Sequence, residues 1–397
     1  MYISAEIRRQ RNFRTIRVAQ LFCNALSVTP PSLPTVICSD HVAEGAQSAL
    51  VGLDALLREP SSVPTSEFAA TILKSMPAVA VWAAYFATLP ADRWPDGLGH
   101  RDVTLVKISW LIFRLLRVSE SAKPKVVRTP GVVVLIASLW ANEARTAANP
   151  AVYPPSTEML LAVLQGNMSA DGQLDDAILR EVVATAGGGS VDEVARIAII
   201  HVRSAGSAMA PLCASACALL ELSRGDQNAL RAAILDRGGV SIIAKELFKF
   251  ARQDDGSDPS ADHMVAACVK YILTVAETGR GLPWLRQMLE GNLLESLVKM
   301  STRLARLEAP DQLLIANFLE DVLPRYLVYS SVVELAAKQF RKIHMAKLDS
   351  TPLRASWMAL AKVLIPHARF YLALGVTKGT GCCTQVSRHG RSSKDPD

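Results

Sequence analysis

The chain has 397 residues, half of them hydrophobic, with only 6% aromatic and 20% charged residues and a formal net charge of +6. Few aromatics among so many Ala, Leu and Val favour helices packed on helices over sheets, and the low charge lets each helix bury more than one narrow stripe. Basic residues spread along the chain disfavour nucleic acid as the main partner, because such binders gather Lys and Arg on one face with aromatics between them.

Arg8, Arg9, Arg11, Arg14 and Arg17 open the chain beside a single acid, Glu6, while apolar residues recur at Ile7, Phe13, Ile16 and Leu21. Such Arg-rich text suits either a mitochondrial transit peptide or a polar-edged first helix, and the helix is the reading taken. With the Pro30-Pro31 linker it forms an N-terminal segment over residues 1–38. Residues 39–374 follow as one helical body in which no apolar run is long enough to span a bilayer. In Thr104–Val118, Val106, Trp110, Phe113 and Leu116 step by four, three and three, the spacing of one helix face and the expected core stripe. Val240, Ile243, Leu247 and Phe250 make a second stripe, with Lys245, Glu246, Lys249 and Arg252 outside it. Further helices are expected over Asp311–Leu323, Val332–Ile343 and Leu353–Leu374, with Pro324 and Pro366 kinking or breaking theirs.

A turn phrase recurs along this body: a Gly or Pro followed at once by an apolar helix. It stands at Pro77-Ala78-Val79, Pro130-Gly131-Val132, Gly187 to Val194, Gly238-Gly239-Val240 and Gly291-Asn292-Leu293. Its starts at 77, 131, 187, 239 and 291 lie 52 to 56 residues apart, room for two helices and a long loop, or for three helices. The fullest unit runs from Ala218 to Phe250: Leu219-Leu220-Glu221-Leu222 closes one helix, Asp226 is placed to cap a short second, and Gly238-Gly239 turns the chain into a long third. This unit resembles an armadillo repeat. The resemblance implies an all-α, armadillo/HEAT-like helical-repeat solenoid, a right-handed superhelix whose aligned long helices line a groove for a protein or peptide partner.

Catalytic and metal motifs are sparse. Gly187-Gly188-Gly189-Ser190 follows helical text and not a strand, so Ser190 with Glu193 reads as a capping box and not a phosphate cradle. Asp254-Asp255-Gly256-Ser257-Asp258, with Asp262 and His263 beyond, lacks the alternation of a calcium loop and reads as a solvated connection. His201, His344 and His367 stand singly on helices. The expectation is a non-enzyme, with no catalytic residue and no cofactor; an enzyme whose site between helices is announced by no motif is the alternative. Seven cysteines, at 23, 38, 213, 217, 268, 382 and 383, are an odd and widely spaced set. They suit reduced thiols of a cytoplasmic or nuclear protein, and the Cys213/Cys217 pair reads as core.

After Leu374 the text changes to Lys378-Gly379-Thr380-Gly381, then Cys382-Cys383, and His389 follows in a basic tail that spans residues 375–397 and is expected to be disordered. With Trp357 and the Arg369–Leu374 helix end, this junction resembles that of fungal armadillo-like proteins which carry a C-terminal MYND-type zinc finger. The resemblance implies Cys382 at the first zinc-ligand position. Two interleaved sites need paired Cys-x-x-Cys ligands, and Gln385 and Val386 stand where the partner is expected. Cys382, Cys383 and His389 alone cannot close two sites, so the finger is absent or truncated here, and zinc is expected only in a longer form that holds it intact.

Overall fold

The computed structural model describes residues 16–27, 40–58, 66–89, 94, 101–117, 123–146, 156–168, 174–206, 208–224, 229–253, 258–259, 261–277, 281–343 and 351–373. Among them every regular element is a helix, and the only β pairing is an isolated bridge between Met168 and Leu174. The chain is all-α.

Residues 1–246 with 263–271 form one unit, and residues 247–262 with 272–397 form a second. The first unit begins with α1 (residues 16–25), which buries Ile16 and leaves Leu21 exposed. It continues through α2 (Asp40–Arg58), α3 (Ser66–Lys74), α4 (Met76–Thr88), α5 (Arg101–Arg117), α6 (Lys123–Val127) and α7 (Val132–Thr146). Then come α8 (Ser156–Gly166), α9 (Asp176–Ala186), α10 (Val191–Ala205), α11 (Met209–Leu222) and α12 (Ala229–Asp236). The helices α13 (Gly239–Gln253) and α14 (Ala261–Glu277) contain the points where the two units divide.

Within this unit, helices three apart in the chain pack on one another. α2 lies on α5, α5 on α8 and α8 on α11; α4 lies on α7 and α7 on α10. Shorter helices fill between them: α6 touches α5 and α8, α9 touches α7 and α10, and α12 touches α10. Small side chains let the backbones approach. Ala43, Ala46 and Ala49 of α2 are buried, as are Ala80 and Ala83 of α4 beside Trp82 and Phe86. Burial of Val79, Ala80, Trp82, Ala83, Tyr85, Phe86 and Ala87 covers α4 on nearly every side, as the low charge of the sequence requires.

The recurring turn phrase coincides with the starts of α4, α7, α10 and α13. Left-handed backbone supplies most of these corners: Gly131 has φ 83°, Gly188 58°, Gly189 87° and Gly238 81°. Ser190 accepts the Glu193 N–H at 3.3 Å, capping α10, and Asp175 accepts the Ala177 N–H at 2.8 Å, capping α9. Glu193 is held by Arg196 at 2.6 Å, so its carboxylate faces forward along the helix. On α13, Val240, Ile243 and Leu247 are buried as the stripe predicts. Phe250 is only half-buried, and Glu246, placed by the sequence on the polar side, is buried.

The second unit holds α15 (Leu282–Glu290), α16 (Leu293–Lys299), α17 (Ser301–Leu304), α18 (Ala309–Asn317), α19 (Leu323–Tyr326), α20 (Ser330–Phe340) and α21 (Arg354–Ala373). The same turn phrase precedes α16, where Asn292 takes the left-handed corner with φ 62°. Buried Gln339 of α20 stitches that corner, accepting the Leu294 N–H at 3.0 Å and donating to the Leu289 carbonyl. Neither proline ends its helix. Pro324 follows a π-helical turn over Phe318–Val322, which re-spaces the backbone where proline has no N–H to give, and Pro366 lies inside α21. Arg303 is buried beneath Phe250 and bonds Asp262 at 2.8 Å; Arg306 takes the other Asp262 oxygen at 2.8 Å. These guanidinium contacts draw the Asp262 carboxyl below its usual range, the Arg306 bond first. Asp262 therefore closes a salt-bridge network, while residues 254–257 lie outside the described residues.

Candidate binding surface

Apolar residues surround α5, so packing decides which side is core. Leu105, Ile108, Ile112 and Leu115 are buried with Leu111 and Leu116, whereas Val106, Trp110 and Phe113 are only half-buried and Val103 is exposed. The expected core stripe is thus turned outward for all but Leu116. Branched aliphatic side chains mesh with α2 and α8, and the larger rings remain at the surface under a cover of cations. Arg114 lies over the Trp110 ring at 5.1 Å and Arg117 over the Phe113 ring at 4.8 Å; the two rings meet edge to face at 5.7 Å. Arg114 also pairs with Asp54, a buried carboxylate of α2 that Arg58 holds from its other oxygen.

This face continues onto the next helices of the same file. A cleft of about 380 Å³ is lined by Phe113, Leu116 and Arg117 of α5, Lys123 of α6, and Glu158 and Leu161 of α8. Burial raises the Glu158 carboxyl above its usual range, and the Arg117 charge opposes that rise. Beyond Glu158, α11 presents half-buried Cys213, Cys217 and Leu220. A hydrogen bond from the Cys217 thiol favours the Cys213 thiolate and draws Cys213 down, while the same contact and burial push Cys217 up. The sequence places the pair in the core, whereas it lies half-buried on the margin of this surface; Cys268 of α14 is fully buried, and burial pushes its thiol up as well. Alkylation of the native chain by iodoacetamide should therefore label Cys213 ahead of Cys268, which should react only on unfolding. Mass spectrometry showing equal labelling of both in the native state would contradict this ordering.

A second cleft, of about 550 Å³, lies between α9 and α12 and has a mostly aliphatic wall of Leu179, Val183, Val191 and Leu230. It lacks the aromatic and cationic pairing of the α5 face.

Cys382, Cys383 and His389 lie outside the described residues, as do His344 and Asp226. His367 makes a 2.9 Å contact through Nδ1 with the Val363 carbonyl on its own helix. His201 is a core residue, stacked on Trp140 at 5.2 Å with Nε2 2.9 Å from the Trp140 carbonyl. Among the described residues no group of three or more His, Cys, Asp or Glu side chains is arranged to hold a metal ion, and no helix is long and apolar enough to cross a membrane.

The fold and surface define an all-helical protein whose layered helices leave an aromatic and cationic face at their margin. Comparison with protein-family models, curated proteins and solved structures finds no match.

Proposed function

We propose that the chain is a non-catalytic, armadillo-like helical-repeat scaffold that holds a partner polypeptide along the outward face of α5, α8 and α11. One observation supports this reading: helices three apart in the chain pack on each other in two files, and a glycine with left-handed backbone precedes α7 and α10 of the second file. Read as a repeat, the short α12, the Gly238-Gly239 corner and the long α13 follow the order that α6 with α7 and α9 with α10 also have, a short helix and a turn before a long helix. In such an array the file α2, α5, α8 and α11 is the one that presents side chains to a partner.

On this reading the protein works in the cytoplasm or nucleus, and its kinship is with the MYND-type helical-repeat scaffolds that the tail resembles. Cys382, Cys383 and His389 do not complete a finger, so purified protein is expected to carry far less than one zinc per chain. The direct test is selection of phage-displayed random dodecapeptides on the full chain, followed by hydrogen-exchange mapping of a selected peptide. Related sequences should emerge, with protection centred on α5, α8 and α11. Failure to select any peptide, or protection confined to other helices, would overturn the reading.

A further inference from the structure

The outward face of α5 is unbalanced in charge. Lys107, Arg114 and Arg117 flank Val103, Val106, Trp110 and Phe113, and residues 103–117 contain no acidic residue. Arg114 is matched by Asp54 on the neighbouring helix. Among the described residues, Lys107 and Arg117 form no ion pair; the Arg117 guanidinium is spread over the Phe113 ring. Lys123 adds a further cation at the cleft, and Glu158 is the single carboxylate lining it. A guanidinium laid on an aromatic ring keeps its N–H edge free to donate two parallel bonds to a carboxylate while the ring below remains an apolar contact.

Resting on the scaffold reading above, we infer that this face recognises an acidic, amphipathic polypeptide segment, in which Asp or Glu side chains flank an apolar residue that seats on Trp110 and Phe113. Carboxylates meet Arg117, Lys107 and Lys123, and the apolar side chain covers the ring edges beside the 380 Å³ cleft. A basic segment would find one acid, Glu158, among four cations. Val103 and Val106 beside the two rings suit an apolar peptide side chain and offer no stacking surface to a run of bases. The partner's charge supplies orientation and salt dependence, and its apolar residue supplies the buried contact.

The experiment measures binding of a fluorescein-labelled peptide, chosen as the most enriched sequence of the dodecapeptide selection, to the full chain. The enriched sequences are expected to be net negative with Leu, Ile, Phe or Trp beside the acids. Affinity should fall about tenfold in Arg117→Glu and in Lys107→Glu, and several-fold between low and high salt. Lys362→Glu, on α21 of the other unit, should change nothing. Both test positions are at the surface or half-buried and outside the core stripe, and circular dichroism confirms that the variants remain folded. Enrichment of basic or uncharged peptides, an acidic peptide whose affinity is untouched by both α5 variants, or oligothymidylate binding tighter than the peptide with the same Arg117 dependence would each overturn the inference. The first two leave the scaffold reading standing; a selection that yields no peptide removes both.

Discussion

Gly239→Val is expected to destabilise the chain by about 4 kcal/mol. A Cβ at Gly239 would stand 2.8 Å from Ile234 Cγ2, 2.8 Å from Tyr271 Oη and 3.0 Å from the Ile234 carbonyl oxygen. One of these atoms is backbone, and the side chains of Ile234 and Tyr271 are fully buried, so none can swing away. Gly238, its neighbour, is constrained differently. Its φ is 81°, yet an added Cβ would meet nothing within 4 Å, so Gly238→Ala meets only the left-handed backbone cost of about 1–2 kcal/mol. The ordering Gly239→Val, then Gly239→Ala, then Gly238→Ala should be read from urea unfolding followed by circular dichroism. If Gly238→Ala were the most damaging of the three, the corner would be held by backbone conformation and not by the approach of α14's Tyr271.

That corner marks the division between what the sequence makes legible and what it hides. A Gly-Gly pair before an apolar run announces a sharp turn at the starts of α10 and α13, as Pro130-Gly131 does for α7 and the looser Gly291-Asn292 for α16. Local chemistry suffices there because a positive φ excludes most residues whatever surrounds them. The sequence does not reveal that the two glycines act by different means, since the clash at Gly239 depends on a residue 32 positions later.

The candidate surface was half legible. Trp110 and Phe113 stand out in the α5 text, but apolar residues on all sides support two stripes equally well, and spacing alone assigns the larger rings to the core. The deciding signal lies four residues on: Arg114 and Arg117 sit one turn beyond Trp110 and Phe113, and a face that carries two guanidinium groups is the one left to solvent. Glu158 and the Cys213/Cys217 pair join this face only because α8 and α11 stack in file on α5, which no local pattern encodes. His201 is the opposite case, a polar residue standing singly on its helix that the fold places in the core.

Burial draws the His201 imidazole down to about 4, with the Trp140 carbonyl contact opposing the shift more weakly. In the unfolded chain the ring takes a proton near its ordinary value of about 6.5. Between these values the unfolded state binds a proton that the folded state refuses, so this residue's effect is to lower stability as pH falls through that window. The loss should reach about 2 kcal/mol at pH 5 relative to pH 8, and about 3 kcal/mol once the pH is below about 4. Glu143, Glu158 and Glu221 act with the opposite sign. Burial raises each of them, so their folded forms hold protons that the unfolded chain releases, and they favour the folded state on the acid side. The total pH profile mixes the two effects, and the informative quantity is the difference between the native chain and His201→Phe. Phenylalanine keeps the ring stacked on Trp140 and cannot be protonated; at pH 8 it loses the 2.9 Å contact with the Trp140 carbonyl, a cost of about 1 kcal/mol. The variant should therefore be the less stable protein at pH 8 and the more stable one at pH 5, the two curves crossing near pH 6. Parallel curves with no crossing would mean that the imidazole is solvated in the folded state and that α7 and α10 do not close over it.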